Sequence, residues 1–229
     1  MRSGLTGLIW GCVLMLGVYC PGSLFGAGAE TDPDRPGANI EIDTEVRESG
    51  PAHEIKQTID KIITQLRTRG TGAEWREKVT ALVRDKFNFE VMSQGVLGPY
   101  WHRATPQERE EFIELFSLLL EETYIGRVKE YTDQKIRFGN EQIRQNRAMV
   151  DTFIAMESGD EIPISYKMLQ HGDEWQVYDV VIEEVSLVRN YRSTYSSVLR
   201  KKEISGLLEE MQDKIAELKE RHAQEDRNA

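Results

Sequence analysis

Apolar residues recur at helical spacing in the first half of the chain, alternate strictly in the second, and return to helical spacing at the end. From His53, Ile55, Ile59, Ile62, Ile63 and Leu66 fall on one side of a helix, until Gly70-Thr71-Gly72 stops it. A further helix is predicted from Ala73 to about Phe87, presenting Trp75, Val79, Leu82 and Val83. The segment Phe89 to Trp101 is shorter, and Gly95 and Gly98-Pro99 predict that it breaks and bends. Thr105-Pro106-Gln107-Glu108 then opens a strongly amphipathic helix, with a threonine N-cap, proline at the first helical position and glutamate at the third. Phe112, Leu115, Phe116, Leu119, Leu120 and Tyr124 share one side of it.

Beyond this helix the period becomes two. Lys135 to about Ile143 reads as a weak strand and Ala148 to Met156 as a better one, with Val150, Thr152, Ile154 and Met156 on one face. Ile162 to Leu169 follows after the turn Ser158-Gly159-Asp160, and Trp175 to about Glu183 after the turn His171-Gly172-Asp173. Such short connections predict an antiparallel meander. Its apolar face comprises Val150, Ile154, Ile164, Tyr166, Met168, Tyr178, Val180 and Ile182, while Asp179 and Glu183 alternate onto the other face.

The last predicted strand runs straight into a helix near Ser186, which can cap it. Leu187, Tyr191 and Val198 form that helix's stripe. Ile204, Leu208, Met211, Ile215 and Leu218 continue at helical spacing in a long charged segment. The expected fold is α+β: a four-stranded antiparallel sheet with helices packed on one face.

The ends narrow the domain. Arg2, the apolar run Leu5 to Val18 and the small residues Ala27-Gly28-Ala29 match a secretory signal, residues 1–29, cleaved near Ala29. Residues 30–52, rich in Pro, Gly, Asp and Glu, read as a disordered lead-in. That leaves a domain over 53–222 and a flexible tail over 223–229. Both cysteines, Cys12 and Cys20, fall in the signal, so the mature chain has no disulfide.

Charge changes the list of partners. The chain has 29 basic and 39 acidic side chains, a net charge of −10, and cleavage would remove a single arginine. This argues against nucleic acid and against electrostatic adhesion to an anionic bilayer; stable membrane insertion is not expected either. His53, His102, His171 and His222 have no metal-ligand spacing and read as surface residues, with no metal site. No G-x-S-x-G, P-loop or dinucleotide motif is present. Asp179, Glu183 and Glu184 could form an acid-base set near a cleft, but alternation turns Asp179 and Glu183 away from the apolar face, so no catalytic residue is assigned. Tyr166, Tyr178 and Tyr191 suit the rim of an apolar cavity.

Two segments carry a family resemblance. They are Leu97-Gly98-Pro99-Tyr100-Trp101 with Thr105-Pro106-Gln107 and Phe112 to Tyr124, and Val150-x-Thr152 with Ile162-Pro163-Ile164-x-Tyr166 and Trp175-x-Val177-Tyr178-Asp179-Val180 to Arg192. Together they resemble the MlaC family of periplasmic phospholipid-binding, toluene-tolerance proteins, over about residues 55 to 218. Glu184 stands where that family usually has glycine, and Tyr195 where phenylalanine is common.

The resemblance implies a soluble periplasmic carrier, not an enzyme, with a glycerophospholipid as ligand and no other cofactor. It also implies two partners, an outer-membrane lipoprotein complex and an inner-membrane ABC transporter with a lipid-binding capture subunit. Two chains of about 16 carbons represent roughly 25 kcal/mol of hydrocarbon exposure, which demands an enclosed apolar slot between sheet and helices. The expected lining is Phe116, Leu120, Tyr124, Ile164, Tyr166, Tyr178, Val180, Ile182, Leu187 and Tyr191, with Leu97 and Trp101 flanking the mouth. The rival readings are a small pocket-bearing enzyme of isomerase or hydratase type, and an envelope scaffold that binds proteins through its C-terminal helix.

Overall fold

The computed structural model describes residues 46–67, 73–128, 135–156 and 159–228. The signal segment, residues 30–45 of the lead-in, the Gly70-Thr71-Gly72 stop and the residue Ser158 of its turn lie outside these residues.

Helix α1, Pro51–Arg67, begins two residues before His53 because proline suits the first helical position. Its Glu54 carboxylate pins three elements together. It sits 2.7 Å from Lys86 Nζ and accepts the Trp175 backbone N–H at 3.1 and 3.2 Å. Lys86 ends α2, Ala73–Lys86, and the next two residues tie that helix to the sheet. Phe87 bridges Val177, and the Asn88 N–H donates to the Val177 carbonyl at 2.8 Å. Asn88 then caps α3, Phe89–Leu97, accepting the Val91 N–H at 2.9 Å.

The predicted break at Gly95 does not occur. A Cβ there would lie 2.6 Å from Val188 Cγ1, so the missing side chain allows close packing of α3 on the last helix. Gly98, at φ +54°, is the residue that ends α3; a 3₁₀ turn, Gly98–His102, follows. Helix α4, Pro106–Val128, has the predicted capping box: Thr105 Oγ1 accepts the Glu108 N–H at 3.2 Å, and Glu108 Oε2 accepts the Thr105 N–H at 2.8 Å.

The sheet has five strands, not four. They are β1 Ile136–Arg144, β2 Arg147–Ala155, β3 Glu161–His171, β4 Glu174–Ile182 and β5 Val185–Ser186, antiparallel and in sequence order. The chain reverses at Glu183 and Glu184, with φ of 47° and 70°, and Val185 and Ser186 pair with Ile182 and Val181 before the helix starts. Two residues are too few to show an alternation, so this strand has no signature in the sequence.

A second correction concerns facing. Tyr166 pairs with Val180, but Met168 pairs with Val177, so β4 carries one extra residue between them. The bulge puts Val177 and Trp175 on the inner face and turns Tyr178 outward, where its hydroxyl accepts a hydrogen bond from Arg147 Nη1 at 3.1 Å.

The inner face packs Ala148, Val150, Met168, Trp175, Val177 and Val180 against Ala52 and Ile55 of α1 and against Leu187. Trp75, Val79 and Ile125 form a separate small cluster joining α2 to α4. Leu187 opens α5, Leu187–Asn228, whose Ser186 cap accepts the Arg189 N–H at 3.1 Å. This helix is interrupted at Glu203, with φ 61° and ψ −164°.

After the interruption, Ile204, Leu207, Leu208, Met211, Ile215 and Leu218 are buried. The helix continues to Asn228, through residues 223–228. His222 is not a surface residue: it is buried, with Nδ1 2.9 Å from Glu122 Oε2 on α4.

Candidate functional site

The strand-to-helix corner is built around Asp179. Its carboxylate is buried and accepts hydrogen bonds from Ser186 Oγ at 2.7 Å, Lys167 Nζ at 3.0 Å and the Val188 N–H at 3.2 Å. Asp179 does face away from the inner apolar side, and its oxygens are committed to holding the corner. That corner delivers Leu187 and, one turn later, Tyr191 to the inner side.

The predicted lining residues separate into three sets. Leu97, Phe116, Leu120, Val180, Leu187 and Tyr191 are buried. Leu97 and Phe116 have almost no accessible surface. The Phe116 ring meets Tyr191 edge-on at 5.2 Å and stacks on Phe112 at 5.7 Å, making the α4–α5 interface.

Tyr124, Ile164, Tyr166 and Ile182 form the second set. All four pack against the inner-face cluster while remaining only partly buried. Tyr178 and Trp101 stand apart. Tyr178 lies on the outer face, and half-buried Trp101 is held by Arg109, whose Nε donates to its carbonyl at 2.9 Å and whose guanidinium lies 5.2 Å from its ring. Phe138 and Ile59 belong to the second set but were not among the expected residues. Ile59 sits on the α1 stripe, so periodicity could have found it; Phe138 is on the strand with the weakest alternation.

The tyrosines report how deep this region is. Burial pushes the Tyr124 hydroxyl far above the usual tyrosine range, with neighbouring Tyr191 adding to the effect. Burial raises Tyr166 too, against a hydrogen bond with Thr152, itself buried. Tyr191 is pushed up to about 12 by burial, against a hydrogen bond with Thr123. Tyr195 is raised by burial, with Tyr191 and Glu210 contributing.

A separate cleft of about 420 Å³ runs between α4 and the C-terminal part of α5, lined by Leu119, Tyr195, Leu207, Glu210, Met211, Asp213, Lys214 and Glu217. None of the twelve expected residues lines it, and its rim is charged. Among the described residues no His/Cys/Asp/Glu group could hold a metal ion, and no helix is long and apolar enough to cross a membrane.

The described residues form an α+β fold whose antiparallel sheet packs an apolar face against helices. The family model described as "MlaC protein" matches residues 53–213, and the chain belongs to the MlaC family. It is 23% identical over 184 residues to the intermembrane phospholipid transport system binding protein MlaC of Haemophilus influenzae, covering 76% of this chain and 86% of that one. It is 24% identical over 103 residues to the toluene tolerance protein ttg2D of Pseudomonas putida, covering 44% and 48% respectively. Among solved structures, the phospholipid-binding protein of Ralstonia solanacearum, in complex with a phospholipid, shares the fold. The TM-score is 0.69 at 19% identity, covering 74% of this chain and 99% of that one.

Proposed function

We propose that this protein is a phospholipid carrier that holds acyl chains in an apolar cavity between the inner sheet face and helices α1, α4 and α5. The observation that carries the reading is a set of apolar side chains that pack on the inner sheet face and stay partly accessible. Tyr124 and Tyr166 are deep enough for burial to hold their protons, yet both keep accessible surface, as do Ile164 and Ile182 beside them. We read the accessible surface of these side chains as bordering space for an acyl chain. In a close-packed domain such space is scarce, and hydrocarbon is the ligand an apolar wall favours. The names of the Haemophilus and Ralstonia relatives agree with this assignment.

Several features of the carrier follow as part of the same reading. The chain works in the periplasm after cleavage near Ala29. It receives and delivers lipid through an outer-membrane lipoprotein complex and an inner-membrane ABC transporter with a lipid-binding capture subunit. A chain of net charge −10 gains nothing from an anionic bilayer surface, which favours protein partners as docking sites. Binding is favoured over catalysis because both oxygens of the buried Asp179 carboxylate are already engaged by structural donors. The scaffold alternative loses its surface, since the apolar stripe of α5 after Glu203 is buried within this domain.

Organic extraction of the natively purified protein is expected to release phospholipid in near-stoichiometric amount. Ile164→Trp, which fills the space from a half-buried position, is expected to lower that yield several-fold while leaving the fold intact by circular dichroism. Lipid-free extracts from folded wild-type protein would refute the carrier assignment, and unchanged loading of the variant would refute the cavity's location.

A further inference from the structure

The first part of α5 carries charge of one sign only. From Leu187 to Lys202 the charged residues are Arg189, Arg192, Arg200, Lys201 and Lys202, and the nearest acids in the chain, Glu184 and Glu203, stand beyond its two ends. The whole chain, by contrast, has a net charge of −10. At about 3.6 residues per turn, Arg189, Ser193, Ser196 and Arg200 fall within roughly 60° of one another, on a side turned away from buried Tyr191, Tyr195 and Leu199. Arg189, Ser193 and Arg200 are exposed, and the stripe they define is about 16 Å long.

A second segment free of acids lies against it. Between Gly95 and Gln107 the charged side chain is Arg103, with His102 beside it. Arg192 joins the two segments: its Nε donates to the Gly95 carbonyl at 2.6 Å, and a Cβ on Gly98 would meet its guanidinium at 3.2 to 3.3 Å. The Arg103 guanidinium lies 5.6 Å from the Tyr100 ring. Tyr100 and Trp101 are half-buried, and Pro99 is exposed. Other cations of this chain are neutralised in place, as Lys86 is by Glu54, Arg84 by Glu121 and Lys202 by Glu210. Arg103, Arg189, Arg192, Arg200 and Lys201 make no ion pair among the described residues.

We propose that this face, the first part of α5 with the adjoining 3₁₀ turn, is a docking surface for the acidic face of a protein partner. The inference rests on the carrier reading, which requires partners to dock, and it supplies the surface. Charge complementarity sets the sign of the partner. The composition sets its kind: arginine, tyrosine and tryptophan are enriched in protein interfaces, and the guanidinium fork pairs with carboxylates. An anionic bilayer fits less well, because it is wide enough to meet the remainder of a chain of net charge −10, whereas a protein can contact the stripe alone.

The test places the photo-cross-linker benzoylphenylalanine at Ser193 in the full chain, exported in its own host. After irradiation, the cross-linked peptides are sequenced by mass spectrometry. The expected adduct is to a protein segment rich in Asp and Glu. Arg189→Gln combined with Arg200→Gln is expected to lower its yield about fivefold, the loss corresponding to two exposed ion pairs, while Arg189→Lys combined with Arg200→Lys retains most of it. Ala216, exposed on the later, more acidic part of α5, is the control position and should not give this adduct. The docking surface is overturned by the absence of a protein adduct at Ser193, by a yield unchanged in the glutamine variant, by an equal yield at Ala216, or by an adduct to phospholipid in place of protein. Organic extraction of the same preparations reads the carrier assignment separately. Lipid content unaltered by the arginine substitutions is expected, and lipid-free wild-type protein overturns the carrier assignment whatever the cross-link shows.

Discussion

Replacing Asp179 tests whether the strand-to-helix corner is held by one buried carboxylate. In Asp179→Ala the Ser186 hydroxyl, the Lys167 ammonium and the Val188 N–H, at 2.7, 3.0 and 3.2 Å, lose their shared acceptor. The lysine side chain is 31% exposed and recovers hydration, so its share is small. Ser186 is buried and Val188 half-buried, so their donors stay unsatisfied.

Hydrogen bonds to charged groups contribute about 1.5–3 kcal/mol each and do not add, which sets the expected loss at about 3 kcal/mol. Asp179→Asn keeps one acceptor oxygen and is expected to lose about half of that. In urea, with a slope of roughly 2 kcal/mol/M, the alanine midpoint should fall by about 1.5 M with the slope unchanged. Exposed Asp213→Ala is the control and should not move the midpoint. A shift below about 0.3 M for Asp179→Ala would mean that the corner is held by backbone and apolar packing, and would refute the reasoning.

The two-residue turn before β5 carries strain. Glu184→Gly relieves a positive φ of 70° on an exposed residue and is expected to stabilise the domain by about 0.5–1 kcal/mol, net of the entropy glycine loses on folding. A thermal melt should rise by about 1–3 °C; a lower melting temperature would show that the turn is unstrained. The buried tyrosines predict a pH effect of defined sign. Their folded pKa values lie above the unfolded value, so the native state keeps protons that the unfolded chain releases above about pH 10. Stability should therefore be unaffected below that pH and fall progressively above it. In an ultraviolet titration at about pH 11, Tyr124, Tyr191 and Tyr195 should remain protonated for as long as the chain is folded. Their ionisation before unfolding would contradict the depth assigned to this region.

What the amino-acid order determined by itself is whatever depends on near neighbours in the chain. The capping box at Thr105, the cap at Ser186, the amphipathic stripes and the alternation of β2 and β3 are local energetics, and a helix or strand period displays them directly. For the same reason Ile164, Tyr166 and Val180 could be placed on the inner face, and Phe116, Leu120 and Tyr191 on apolar helix stripes that prove buried.

The tertiary structure decided where two distant segments had to fit together. Gly95 reads as a breaker, but it admits Val188 from a helix far along the chain. Tyr178 reads as inward, but the extra residue in β4 turns it to the outer face and substitutes Val177. His222 reads as solvated, but it lies buried against Glu122. Register, close approach and burial arise between segments that sequence proximity does not relate. Those same relations separate the sealed inner residues from Tyr124 and Tyr166, which keep accessible surface.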